Sequence, residues 1–265
     1  MRIGLITDNP GHPLLSAAAG LLRAAGHRVE LLDPGSPDAA GPPAGTPADV
    51  YLLKAHTPPG LELARHLERL GAPVVNSAAA TTLCQDRTLM AELAGRAGLP
   101  FAGTRTVGPL ARWAAGVSPA FPVVVKSRHS RRADLVARVD DVAGLRKLAD
   151  EWPDEPVVVQ DFAPNSGWDH KLWAIGGRVF AALRRSELSP EGRGPTLPLP
   201  RLPQGWAELT RRVGALYSLD VYGVDIIATA DGSPLIVDVN AFPGIRDQPG
   251  APEALADLAL SRAKG

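Results

Sequence analysis

Short apolar runs alternate with small-residue helical patterns over the first part of the chain. Several of these helical patterns stop at glycine, as at Gly26 and Gly71. The alternation predicts strands at residues 2–7, 27–33, 49–54 and 73–76, and helices at 13–25 and 61–70. Strand–helix alternation is typical of a parallel sheet covered by helices. We therefore predict an α/β lobe over residues 1–76, with a Pro- and Gly-rich loop at 34–47.

The remaining elements are longer and less regularly ordered. We predict helices at 77–97, 141–152, 206–219 and 251–264, and strands at 121–126 and 156–164. Residues 167–185 predict two strands around Gly176-Gly177, a dipeptide that favours a tight hairpin. Residues 187–204 are rich in Pro and Gly, which indicates a mobile loop. This half of the chain is therefore predicted to be α+β.

A second hairpin is predicted near the C-terminal end. Two apolar, β-branched runs flank Asp231-Gly232, and Asp-Gly between such runs is a strong hairpin signal. Counting outward from a two-residue loop places Asp225 directly opposite Asp238. Asn240 lies two residues further along the same strand and therefore on the same face.

The predicted hairpin thus gathers two carboxylates and an amide oxygen on one side of a sheet. Opposed like charges are destabilising, so something should neutralise them. An all-oxygen set suits a hard cation such as magnesium. The alternative is a solvated strand face, with Asn240 starting a turn before Pro243-Gly244. Spacing alone leaves both interpretations open.

Composition narrows the class of protein. The chain has 265 residues and a formal net charge of zero, so bulk charge gives no case for a nucleic acid or a membrane partner. Cys84 is the single cysteine, which excludes an intrachain disulfide framework and fits a reducing compartment. The apolar run at residues 3–6 is too short for a signal peptide or a membrane span. A cytoplasmic enzyme is the expectation.

The hairpin sequence also carries a family resemblance. Gly-Val-Asp-Ile-Ile at 223–227 and Val-Asp-Val-Asn-Ala-Phe-Pro-Gly at 237–244 resemble the C-terminal signature of the ATP-grasp superfamily. The likeness implies that Asp225, Asp238 and Asn240 hold Mg²⁺, or alternatively Mn²⁺, bound to the phosphates of ATP.

Further motifs extend the resemblance over nearly the whole chain, in the family's order. It is closest to the ribosomal-protein glutamate ligases and the glutathione synthetase-like carboxylate–amine ligases. It implies an ATP-grasp region at 77–265, in which a central lobe at about 100–162 and a C-terminal lobe at about 163–265 clasp ATP.

The resemblance assigns nucleotide contacts to three stretches. Arg87 stands where family members usually carry a lysine that reaches the phosphates of ATP. Lys126 resembles a second lysine, which contacts the α- and β-phosphates at the end of a strand. The segment after the strand at 156 looks like the family's adenine-binding hinge. The hinge positions are Gln160, Asp161, Phe162 and Ala163.

A third motif supplies more charge. Gly167, Asp169 and Lys171 match the family pattern Gly-x-Asp-x-Arg/Lys, which implies that Lys171 faces phosphate or ribose. Adjacent strand residues point to opposite faces, so only one of Arg184 and Arg185 should face the site. We favour Arg184 as a clamp on the acyl phosphate or the acceptor anion.

One stretch departs from the family pattern. Family members continue after the strand lysine with a glycine-rich loop that folds over the phosphates, whereas residues 127–134 contain no glycine. Residues with side chains do not easily take the positive φ angles of an amide cradle. The arginines here replace those amides, bind an anionic acceptor, or form a solvated basic loop.

The implied reaction is phosphorylation of a carboxylate by ATP, followed by attack of an amine on the acyl phosphate. The substrates are then a small-molecule or peptide carboxylate and an amine, with acceptor pockets expected from residues 8–14, 127–134 and 187–204. Two alternatives remain: a small-molecule kinase of the inositol phosphate kinase type, and a nucleotide-binding module without catalysis. Small synthetases of this kind are often dimers or tetramers, so a homo-oligomer is open.

Overall fold

The computed structural model describes residues 1–36, 46–116, 119–189, 194–199 and 201–264. Its strands are β1 (Arg2–Ile6), β2 (Arg28–Leu32), β3 (Val50–Leu53), β4 (Val74–Val75), β5 (Thr104–Pro109), β6 (Val123–Ser127), β7 (Val136–Val139), β8 (Pro156–Asp161), β9 (Trp168–Ile175), β10 (Arg178–Arg185), β11 (Thr196–Pro198), β12 (Val221–Ala228) and β13 (Pro234–Ala241). Its helices are α1 (Pro13–Ala24), α2 (Pro58–Arg69), α3 (Ala78–Leu83), α4 (Arg87–Arg96), α5 (Leu110–Gly116), α6 (Val142–Glu151), α7 (Trp206–Tyr217) and α8 (Ala251–Arg262).

The first four strands form a parallel sheet in the order β2-β1-β3-β4. All four residues of β3 are buried, as expected for a strand covered on both faces. The parallel sheet predicted from the alternating pattern is therefore confirmed. Residues 37–45 of the predicted loop at 34–47 lie outside the described residues.

Two antiparallel sheets follow. The central sheet has the order β5-β8-β6-β7, and the C-terminal sheet has the order β11-β10-β9-β12-β13. The C-terminal helix α8 packs with α1 against the first sheet, where Leu255 joins a buried cluster with Ile3 and Leu15. The predicted lobe boundaries stay a prediction, and the apolar core crosses one of them.

The helix predicted at 77–97 is wrong as a single element. The structure has two helices, α3 and α4, separated at residues 84–86. Asp86 takes an extended backbone conformation and its carboxylate accepts from the backbone N–H groups of Thr88 and Leu89. This N-cap satisfies donors at the start of α4, so a short polar side chain ends one helix and begins the next.

The two predicted hairpins have different outcomes. Gly176 and Gly177 both have positive φ between β9 and β10, which confirms the tight turn. The prediction of a two-residue loop at Asp231-Gly232 is wrong. Thr229 and Ser233 instead close a three-residue loop, and Gly232 takes the left-handed conformation that such loops favour.

A bulge restores the predicted alignment further along the second hairpin. The register between β12 and β13 shifts between Asp225 and Ile226, which leaves Val237 as an extra residue on β13. Asp225 is therefore paired with Asp238, as predicted. The loop and the bulge each displace the register by one residue, in opposite senses, so the prediction was right at these residues for an incomplete reason.

Several elements of the structure were not predicted from the sequence. The strands β5 and β7 and the helix α5 are short and carry little regular alternation. The strand β11 lies inside the predicted loop at 187–204 and pairs with β10 at the edge of its sheet. Residues 190–193 and 200 of that loop lie outside the described residues. Over the described ranges, no helix has both the length and the apolar character needed to span a membrane.

Asn76 joins the first sheet to the C-terminal sheet. Its side-chain amide donates to the carbonyl of Val221 at 2.7 Å. Its side-chain oxygen accepts from the N–H groups of Asp220 and Val221 at 2.8 and 2.9 Å. The side chain is fully buried, so these bonds have no competition from water.

We predict that Asn76→Ala lowers the free energy of unfolding by about 2–3 kcal/mol, because it removes the side-chain acceptor of the backbone N–H groups of Asp220 and Val221. Urea denaturation followed by circular dichroism measures the change. Asn165→Ala is the control, since within the part of the chain that the structure describes the amide of Asn165 bonds only to Ala163 and Gly167 in its own turn. Equal losses in the two variants would contradict a structural link through Asn76.

Candidate active site

A cleft of about 600 Å³ lies between the central sheet and the C-terminal sheet. Its walls come from β6, β7 and β8 on one side and from β9, β10, β12 and β13 on the other. Every residue to which the resemblance assigns a role lines this cleft. These residues are Arg87, Lys126, Gln160, Asp161, Phe162, Ala163, Asp169, Lys171, Arg184, Asp225, Asp238 and Asn240.

Asp225 and Asp238 lie opposite each other at the base of the cleft, with Asn240 next on β13. Lys171 on β9 lies directly across from Asp225 in the neighbouring strand pair. Its amine is 2.7 Å from a carboxylate oxygen of Asp225 and 3.1 Å from one of Asp169. Burial lowers the pKa of Lys171, but the two carboxylates outweigh it and hold that pKa above its ordinary value.

Arg87 neutralises the second carboxylate. As the first residue of α4, it sends its guanidinium to Asp238 at 3.0 Å and to Asp134 at 2.6 Å. It also donates to the carbonyl of Ser127 at 2.9 Å. Burial by itself raises the pKa of the Asp238 carboxyl. The charges of Arg87 and Lys126 lower that pKa by more than burial raises it, so it lies below its ordinary value.

Lys126 contacts the bulge in β13. Its amine donates to the carbonyl of Val237, the extra residue of the bulge, at 2.7 Å. The lysine is buried, and burial lowers its pKa although Asp238 acts in the opposite direction. The contact joins the central sheet to the C-terminal sheet and places a cation beside the two opposed carboxylates.

The donor set fits a hard cation. Among the described residues, no group of three His, Cys, Asp or Glu side chains is placed to hold a metal ion. The available set is two carboxylates and one amide, from Asp225, Asp238 and Asn240, in one cleft. Magnesium binds through one or two carboxylates and takes its remaining oxygens from water and phosphate, so an incomplete protein set is what it requires.

The other end of the cleft is largely apolar. Val124 and Val136 line it from the central sheet, and Ile227 and Leu235 line it from the C-terminal sheet. Sequence reasoning missed these residues, because an apolar strand residue gives no sign of which sheet it will face. Mostly apolar walls of this kind are typical of binding sites for small molecules.

The predicted hinge residues border this apolar end. Gln160 is buried and donates from its amide to Thr104 at 3.0 Å. Asp161 is exposed and pairs with Arg105 at 3.0 Å. The guanidinium of Arg138 lies 4.1 Å from the centre of the Phe162 ring, a cation–π contact.

The structure separates the two arginines at the end of β10. Arg184 lines the cleft opposite Asp169, and its buried Nε has no partner among the described residues. The guanidinium of Arg185 lies over the ring of Trp168, 5.5 Å from its centre. Arg184 is therefore the arginine of the pair that faces the cleft, as favoured, and its role stays a prediction.

The glycine-free loop at 127–134 is held by ion pairs. Arg128 binds Asp86 at 2.7 Å, and Arg131 makes two contacts of 2.7 Å with Glu155. Ala133 has a φ of 58°, so the chain enters the left-handed region here without a glycine. This differs from the expectation that residues with side chains avoid positive φ.

Comparison with known protein families accounts for this arrangement. Residues 114–250, which are more than half of the chain, match the RimK-like ATP-grasp domain. The chain belongs to the RimK-like ATP-grasp family. Its fold agrees with this family: the crystal structure of a RimK domain ATP-grasp protein from Sphaerobacter thermophilus superposes with a TM-score of 0.79 at 23% identity, covering 97% of this chain and 99% of that one.

Curated relatives in the family differ in length from this chain. Human N-acetylaspartylglutamate synthase A is 28% identical over 74% of this chain and 54% of its own length. The chain spans about half the length of this synthase and of two further curated relatives that it matches. A probable alpha-L-glutamate ligase of Aeromonas salmonicida is 24% identical over 93% of this chain and 90% of that protein.

We predict that Arg87→Met destabilises the protein by about 3–5 kcal/mol, because it leaves two largely buried carboxylates unpaired. Arg105→Met is the matched control, since the Arg105–Asp161 pair is exposed and such pairs contribute about 0–1 kcal/mol. Denaturant unfolding of both variants measures the difference. If Arg87→Met cost no more than Arg105→Met, neutralisation by Arg87 would not be what supports the cleft.

Proposed function

We propose that the protein is an ATP-dependent carboxylate–amine ligase. It joins a carboxylate to an amine through an acyl phosphate and releases ADP and phosphate. The observation that carries the proposal is the single cleft in which Arg87, Lys126 and Lys171 face the opposed pair Asp225 and Asp238. Membership in the RimK-like ATP-grasp family and the names of the relatives support it.

The cations of the cleft would hold the phosphates of ATP. Lys126, Lys171 and Arg87 stabilise charge that spreads over the phosphoryl oxygens, which is the main contribution of a protein to phosphoryl transfer. Asp225, Asp238 and Asn240 would hold Mg²⁺, with Mn²⁺ as an alternative. The metal, when bound, supplies charge neutralisation at the phosphates.

The charge balance of the cleft supports a role for a divalent cation. Among the described residues, six cations and six carboxylates line the cleft: Arg87, Lys126, Arg131, Arg138, Lys171 and Arg184, and Asp134, Asp161, Asp169, Glu187, Asp225 and Asp238. A free polyanionic nucleotide would therefore meet no net positive charge, and its phosphates would be repelled by Asp225 and Asp238. A divalent ion on these two carboxylates reverses the sign of that interaction.

The adenine ring would occupy the apolar end of the cleft. Val124 and Ile227 face it from different sheets, and the hinge at 160–163 would pair with the edge of the ring. Arg184 would stabilise the acyl phosphate or the acceptor anion. Its buried Nε, which has no partner among the described residues, is available for such an anion.

Among the described residues that line the cleft there is no cysteine, and Cys84 lies outside that lining. Cys84 is buried, and burial raises the pKa of its thiol to about 12, so the thiolate is not populated near neutral pH. Direct attack of the substrate carboxylate on the phosphoryl group is therefore the proposed route, and positioning carries the catalysis.

The relatives suggest the substrate class. Their names share glutamate as the residue that is joined, so we propose an amino acid, a small carboxylic acid or a peptide as substrates.

A cytoplasmic location, a homo-oligomer and the lobe boundaries at residues 76, 100 and 163 belong to the same proposal. The comparisons give no support for the kinase alternative. The glycine-free loop at 127–134 is the reason to test for a nucleotide-binding module without catalysis.

We predict that saturating ATP with magnesium raises the thermal midpoint by about 5–10 °C, because ligand at 100 times its Kd adds about 2.7 kcal/mol. ATP with EDTA should give a much smaller rise. Asp238→Asn should lose the magnesium-dependent part, measured against its own ligand-free midpoint. Asp257→Asn, an exposed aspartate on α8, is the control and should keep the shift.

We also predict that an active carboxylate substrate gives a hydroxamate when hydroxylamine replaces the amine, because hydroxylamine traps acyl phosphates. ADP and free phosphate should form in equal amounts, and Lys171→Met should abolish all three products. ADP with a phosphomonoester and no free phosphate would show a kinase. A magnesium–ATP thermal shift without turnover on a broad panel of carboxylates would indicate a non-catalytic module.

A further inference from the structure

The loop at 127–134 is bonded through its backbone to the turn that joins α3 and α4. The N–H of Ser130 donates to the carbonyl of Gln85 at 2.8 Å, and the N–H of Arg87 donates to the carbonyl of Arg128 at 2.9 Å. An isolated antiparallel bridge lies between these two bonds. The loop and the turn are therefore paired in the manner of two antiparallel strands, although neither belongs to one of the three sheets.

Asp86 adds a charged contact at the centre of this pairing. Its carboxylate accepts from the N–H groups of Thr88 and Leu89 at the start of α4. The same carboxylate accepts from the guanidinium of Arg128 at 3.2 and 2.7 Å. Hydrogen bonds between charged groups are stronger than those between neutral groups, so one side chain both caps the helix and holds the loop against it.

The opposite side of the loop is bonded to the start of β8. The N–H of Arg128 donates to the carbonyl of Pro156 at 2.7 Å. Arg131 makes its two contacts with Glu155, the residue directly before that strand. The loop is thus held from two sides by bonds between protein groups alone.

The fixed loop forms part of the cleft. Ser130, Arg131 and Asp134 line the cleft from this side. Asp134 holds Arg87 at 2.6 Å, and Arg87 in turn holds Asp238 at 3.0 Å. The position of the loop therefore affects how one of the two opposed carboxylates is neutralised.

We propose that Asp86 and Arg128 are positioning residues that fix the loop at 127–134 as a permanent wall of the cleft, so that the loop does not close over the phosphates. The N–H groups of Arg128 and Ser130 already donate to carbonyls, so they are not free to bind a phosphate. The role in nucleotide binding rests on the proposed ligase function, whereas the fixed position of the loop does not. A loop that is ordered beforehand loses little conformational entropy when the nucleotide binds.

Hydrogen exchange of peptides that cover residues 127–134, measured by mass spectrometry, tests the fixed loop. In the wild-type protein we expect slow exchange of the amides of Arg128 and Ser130 without nucleotide, and little change with magnesium–ATP. Arg128→Met should speed this exchange about tenfold, because the charged contact with Asp86 is lost, and magnesium–ATP should slow it again.

Two further variants make the test specific. Asp86→Asn keeps a side-chain oxygen that caps α4 but loses the charge that binds Arg128, so it should speed exchange in the same direction. Arg132→Met removes an exposed arginine of the same loop and is the matched control, with exchange as in wild type. Exchange in the peptides of β6 and α6 should be unchanged in all three variants, because only the loop is released.

Nucleotide binding supplies the second readout. Arg128→Met should weaken the Kd for magnesium–ATP about three- to tenfold, because the variant must order the loop on binding. With a carboxylate and amine that the wild type joins, the KM for ATP should rise by a similar factor while kcat stays close to wild type. Arg132→Met should change neither constant.

The outcomes separate this inference from the ligase proposal. Fast exchange of the wild-type loop that magnesium–ATP slows would show a closing loop and overturn the fixed wall. Equal exchange in wild type, Arg128→Met and Asp86→Asn would overturn the roles of these two residues, and so would faster exchange throughout the protein in both variants. A protected wild-type loop without any magnesium–ATP thermal shift would contradict the ligase proposal and leave the fixed loop standing.

Discussion

Two carboxylates face each other across neighbouring strands, and the rest of the cleft must supply cations to neutralise them. Two like charges that lie opposite each other in a largely buried position are destabilising unless cations lie beside them. Lys171 comes from the adjacent strand β9, and Arg87 comes from the separate helix α4. The requirement for neutrality therefore ties one sheet, one helix and, through Asp134, the loop after β6 into a single arrangement.

The bulge at Val237 connects this charge arrangement to the central sheet. It frees a carbonyl that accepts from Lys126, so that a buried lysine of β6 is held against β13. The same bulge restores the pairing of Asp225 with Asp238 after the three-residue loop has displaced it. One irregularity in a strand thus aligns the carboxylates and positions a cation beside them, as bulges near functional sites often do.

The first sheet is integrated with this cleft rather than attached to it. Asn76 bonds to the backbone at the start of β12, and α8 packs with α1 on the first sheet. Gln85 connects the carboxyl edge of that sheet to the turn that carries Arg87.

The sequence alone determined the α/β first lobe, the glycine hairpin and the residues of the cleft, because apolar periodicity, turn chemistry and ordered family motifs are local properties of the chain. Tertiary structure decided what those residues contact. The apolar walls at Val124 and Ile227 and the pairing of Arg87 with Asp238 each join elements far apart in the chain. Such contacts depend on how sheets pack and where a bulge falls, and a one-residue change of register reverses the face of every side chain on a strand.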